Sequence, residues 1–160
     1  MQGSTSRPGH PALREGLVFG VILGIIAFTI NLLQNSVVSD ILGTILGVLS
    51  LIVAIVLNLL AGVRATQRTG RVSTGALAGL FMELISSLFA ALLALTTFFV
   101  FDTPLHHLLS HATPEQTQQF ITGYIIGFVI SFVVFLLLGA MIGAMGGLIG
   151  RRRAQLPMHI

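Results

Sequence analysis

Four apolar stretches, 16–33, 41–63, 74–101 and 120–150, contain between them a single charged side chain, Glu83. A bilayer core about 30 Å thick is crossed by roughly 20 apolar helical residues rising ~1.5 Å each, so every stretch is long enough to span it. A soluble fold has no use for four such stretches. The composition agrees: 54% of the 160 residues are hydrophobic and 8% charged, with a mean hydropathy of +0.98, whereas a soluble domain carries charge on about a quarter of its residues. Disorder and a soluble enzyme with a polar cleft are excluded on the same grounds. With no cysteine, thiolate metal sites, disulfides and a cysteine nucleophile are excluded too.

The spacing predicts an all-α membrane protein of four transmembrane helices in two antiparallel hairpins. The organisation expected is a mobile N-terminal tail at 1–13, a four-helix domain at 14–150 and a basic tail at 151–160. Arg7 and Arg14 precede the first span, Arg64, Arg68 and Arg71 lie between the second and third, and Arg151, Arg152 and Arg153 follow the fourth. The remaining two loops carry Asp40, Asp102 and Glu115 and no basic residue other than His. The positive-inside rule then places both termini and the middle loop in the cytoplasm, most simply in a bacterial cytoplasmic membrane. The competing expectation is a cleaved signal, with Val37 and Ser39 at the cleavage site. It is disfavoured because the apolar run exceeds the ~7–15 residues of a signal core. The arginines gather at segment ends without interleaved aromatics, so no nucleic-acid partner is expected.

At ~100° per residue the small side chains fall on one face of each helix. Gly16, Gly20 and Gly24 share an arc with Ala27 and Asn31, while Gly43 and Gly47 share one with Ser50, Ala54, Asn58 and Ala61. The two patterns nearly superimpose, as a faint internal repeat or a shared packing demand. Gly75 and Gly79 lead to Glu83 and Ser86 on the third helix. On the fourth, Gly139, Gly143, Gly146, Gly147 and Gly150 form a dense row, while Gly123 and Gly127 face nearly the opposite way. Small residues let helices approach closely enough in lipid for van der Waals contact and interhelical hydrogen bonds. These rows are therefore read as packing seams. Rows of this kind also permit rocking, and the dense one is suited to a homo-oligomer.

Glu83 lies nine residues beyond Thr74, ~14 Å along a straight helix, which places it near the middle of the membrane. A charge there costs at least ~2.5 kcal/mol to insert and faces a bundle interior or water. Ser50, Asn58 and Ser86 are its expected polar neighbours. Two readings stand side by side: a hydrogen-bonded tie between helices, and a site that exchanges a proton or binds a cation.

In the outer loop Asp102-Thr103-Pro104 starts a short interfacial helix, and Thr113-Pro114-Glu115-Gln116 has capping-box spacing for the fourth helix. Ser73 or Thr74 is placed to cap the third. His107 and His111, four apart, are weak metal candidates beside the simpler reading of interfacial histidines. No cofactor is called for: no phosphate-binding loop or nucleophile elbow occurs. In outline the chain resembles small four-span bacterial transporters, which often carry one membrane Glu and work as dimers. In the small multidrug transporters that Glu lies in the first span and here it lies in the third, so their function does not carry over. The expected role is a non-enzymatic small membrane protein acting in helix packing, as a scaffold or in partner binding. The alternative is a proton-coupled transporter or channel using Glu83.

Overall fold

A computed structural model describes residues 9–36, 40–100 and 113–154. These form four helices, α1 (Gly9–Ser36), α2 (Asp40–Thr69), α3 (Val72–Val100) and α4 (Pro114–Ala154). Each contains a segment long and apolar enough to cross a membrane: Pro11–Leu33, Ile41–Thr69, Val72–Leu93 and Pro114–Arg152. The loop expected to hold the interfacial helix, with His107 and His111, lies outside the described residues.

Local chemistry sets the helix ends. Thr113 caps α4 in a reciprocal box: its N–H donates to Oε1 of Gln116 at 3.0 Å, and the Gln116 N–H donates to the Thr113 hydroxyl oxygen at 3.3 Å. Gly70 ends α2 at φ +70°, a left-handed conformation that a side chain disfavours, with its N–H on the Thr66 carbonyl at 2.7 Å. The Thr66 hydroxyl donates to the Arg71 carbonyl at 3.3 Å across the turn. The cap expected at Ser73 or Thr74 is not where α3 begins. The helix starts at Val72, Thr74 lies within its first turn, and the Thr74 side chain is buried in packing. Arg64 and Arg68 likewise belong to α2, so Gly70 and Arg71 alone join α2 to α3.

Packing follows the glycines. A methyl group built at Gly16 would come within 2.6 Å of the Phe81 Cβ and 2.8 Å of the Ala78 carbonyl. One at Gly20 would meet Ile85 and the Met82 carbonyl at 2.9 Å, and one at Gly24 the Phe89 ring at 2.6 Å. Residue numbers rise together along this seam, so α1 and α3 run parallel. On the other side, Gly146 lies against Leu59 and Gly150 against Val63, a parallel α2/α4 seam. Gly139 meets Gly79 and Glu83 while Gly147 meets Val72, so α3 and α4 are antiparallel. The closest seams thus include pairs of helices that are not consecutive in the chain.

The dense α4 row is consumed inside the chain, because its glycines are buried against α2 and α3. The row expected to suit a homo-oligomer is thus occupied within one chain. Backbone-to-backbone contact uses the whole row. Gly62, absent from the predicted face of α2, packs on the Gly143 backbone. Gly47 is exposed, and a methyl at Gly43 or at Gly123 and Gly127 would meet nothing within 4 Å. The two halves of the apparent repeat therefore serve different surroundings.

The buried apolar cluster of Ala12, Phe19, Leu23, Ala61, Ala65, Ala78 and Met82 lies toward the arginine-bearing end. Farther along α4, every residue of 118–131 is exposed, Phe120, Ile125 and Val129 among them. In a membrane those side chains meet lipid, where apolar exposure has no aqueous cost.

Candidate functional site

Where α2, α3 and α4 converge, three polar side chains meet. Glu83 is brought in by Gly75 and Gly79 on its own face of α3, since their lack of side chains lets α4 and α2 close over it. A methyl at Gly79 would stand 2.7 Å from Oδ1 of Asn58, and one at Gly139 would collide with the Glu83 Cγ. Nδ2 of Asn58 donates to Oε1 of Glu83 at 2.8 Å. The Ser86 hydroxyl lies 3.2 Å from the Glu83 backbone carbonyl and 3.4 Å from its Oε2, and donates toward both. Asn58 is only 1% exposed, and its Oδ1 has no hydrogen-bond partner.

The sequence paired Glu83 with Asn58 and Ser86, and the structure brings these three together. Ser50 is eight residues from Asn58 on α2, ~12 Å along the axis, and takes no part. The depth also changes. Asn58 is six residues from Arg64, ~9 Å, so Glu83 lies nearer the level of the arginines than the ~14 Å counted from Thr74 implied. The difference arises because α2 continues as helix through Arg64 and Arg68.

Among the described residues no arginine forms an ion pair with Glu83. The guanidinium of Arg64 lies over the Phe19 ring, 5.4 Å from its centroid, and Arg68 pairs with Glu15 at 3.1 Å. Glu15, 4% exposed, is the site residue that the sequence reading missed. Its signal was present: Ala12, Glu15, Phe19 and Leu23 follow the three-and-four spacing of one helical face. The Glu15–Arg68 pair joins α1 to α2 at the same end as the α2/α3 turn. Arg68→Ala is expected to strand a buried carboxylate and cost about 1–2 kcal/mol. That is below the usual figure for a broken buried pair, because Arg68 is half exposed. Thermal unfolding in detergent would show a lowered midpoint, with Arg68→Lys restoring part of it.

Chemically, the Glu83 cluster offers one carboxyl, one amide and one hydroxyl. That set can tie helices together or exchange a proton, but it contains no nucleophile paired with a base. Among the described residues no three His, Asp or Glu side chains converge as metal ligands. No family model matches the chain, and no curated protein or solved structure matches it.

Proposed function

We propose that this chain is a non-enzymatic multi-pass membrane protein whose bundle acts as a helix-packing scaffold or partner-binding element. The observation that carries this reading is the Asn58–Glu83 hydrogen bond at 2.8 Å, roofed by the glycine backbone of α4. The one charge in the apolar stretches is thereby engaged in joining α2 to α3. In this reading the helices form two antiparallel hairpins in a bacterial cytoplasmic membrane, with both termini and the α2/α3 turn inside, as the placement of all eight arginines supports.

One observation favours a second reading. Glu83 has no cationic partner among the described residues, and the adjacent Asn58 Oδ1 is an acceptor without a donor, so a proton or small cation would complete the pair. The role would then be proton-coupled movement of a small solute. Sealed vesicles carrying the parent or Glu83→Gln, loaded with a pH-sensitive dye and given an imposed pH gradient, separate the two. A scaffold holds the gradient equally with either protein. Proton flux in the parent that disappears in a folded Glu83→Gln protein would replace the scaffold with the transporter.

A further inference from the structure

Five exposed arginines form a second feature, their charge paired by no acid among the described residues. Arg14, Arg64, Arg71, Arg151 and Arg152 are all exposed, and among the described residues none of them forms an ion pair. The acid at this end, Glu15, is already engaged by Arg68.

Packing fixes these residues at similar heights. Gly150 against Val63 brings Arg151 level with Arg64, and Phe19 beneath Arg64 with Glu15 on Arg68 brings the start of α1 to the same level. The two-residue turn holds Arg71 just beyond. The result is a collar of fixed positive charge on a helical frame.

Its height identifies the occupant. Arg64 lies 24 residues beyond Asp40 on one continuous helix, ~36 Å, against a hydrocarbon core of ~30 Å. With Asp40 in one headgroup layer, Arg64 and Arg151 sit in the other, at the depth of lipid phosphates. Guanidinium groups match phosphate oxygens with paired hydrogen bonds, and each basic residue near an anionic surface contributes roughly a fivefold gain in affinity.

We propose that this collar binds the headgroups of anionic phospholipids. The inference rests on the membrane-embedded reading and is independent of whether Glu83 carries protons.

The test uses the full chain in neutral detergent, titrated with phosphatidylglycerol or phosphatidylcholine. Bound lipid is counted by intact-complex mass spectrometry, and the melting temperature is followed in parallel. Phosphatidylglycerol is expected to remain bound and to raise the melting temperature saturably, while phosphatidylcholine and inorganic phosphate do neither. The triple variant Arg64→Gln, Arg151→Gln, Arg152→Gln should bind phosphatidylglycerol about a hundredfold more weakly. The corresponding triple Lys variant should keep most of the affinity, which separates loss of charge from loss of fold. Equal binding of the two lipids by the parent, an unchanged affinity in the Gln variant, or an equal response to inorganic phosphate or a short RNA would each overturn the proposal. Flux through Glu83 in the vesicle assay would leave it untouched, whereas recovery of the chain in the soluble fraction would remove the membrane reading beneath it.

Discussion

Gly143→Leu is expected to break the contact of α4 with both α2 and α3, at a cost of about 3 kcal/mol or more. A side chain there would come within 2.5 Å of the Gly75 carbonyl oxygen and 2.9 Å of the Gly79 Cα. These are backbone atoms of a packed helix, so no rotamer change relieves the clash. The Gly143 backbone also lies against Gly62 of α2, and moving α4 away from α3 therefore loosens the α2 seam as well. In lipid no hydrophobic force compensates for lost interhelical contact, because the separated faces are equally well solvated by acyl chains. Denaturant titration in detergent should show the loss directly. Gly127→Leu on the same helix is the matched control: a Cβ there would meet nothing within 4 Å, and its midpoint should move by less than about 0.5 kcal/mol.

Asn58→Leu should cost about 2–3 kcal/mol, because it removes the interhelical donor to Glu83 and leaves the carboxyl facing an apolar side chain. Glu83→Gln should cost less than about 1 kcal/mol, since the amide oxygen in the place of Oε1 still accepts from Asn58, while the amide NH2 in the place of Oε2 donates to the Ser86 hydroxyl, which keeps its own bond to the backbone carbonyl of residue 83. Combining Asn58→Leu with Glu83→Leu should recover about 1–2 kcal/mol relative to the sum of the single changes, the coupling expected of two groups that satisfy one another. Additive losses would mean that the two side chains are only adjacent. Ser86→Ala, which removes the longer contact at 3.4 Å, should have the smallest effect of the set.

How much of this could be read in the sequence depended on whether the signal was local. Span number, helix content and the capping box at Thr113 follow from hydropathy and near-neighbour chemistry, and each was legible. The partnership of Glu83 with Asn58 was legible for a related reason: each is a rare polar group on a small-residue face, and such groups find one another in lipid. Gly62 was not. It sits beside Ala61, and only the crossing of α4 over α2 distinguishes it from Gly43 or Gly47 near the opposite end. The dense row on α4 misled for the same reason, since its composition shows that a close neighbour exists but not whether that neighbour belongs to the same chain. Glu15 was overshadowed by its proximity to Arg14 and the N-terminal tail, although the face it shares with Ala12 and Phe19 marked it as inward.

The account stands on four crossings that gather the arginines on one side. Because the natural chain has no cysteine, Gln67→Cys and Gln118→Cys each introduce a unique thiol, and both positions are exposed on helices. Labelling with a membrane-impermeant maleimide in sealed, oriented membrane vesicles should reach Gln67→Cys from one face alone, the face bearing the arginines, and Gln118→Cys from the opposite face alone. Labelling of both from one face would contradict the account.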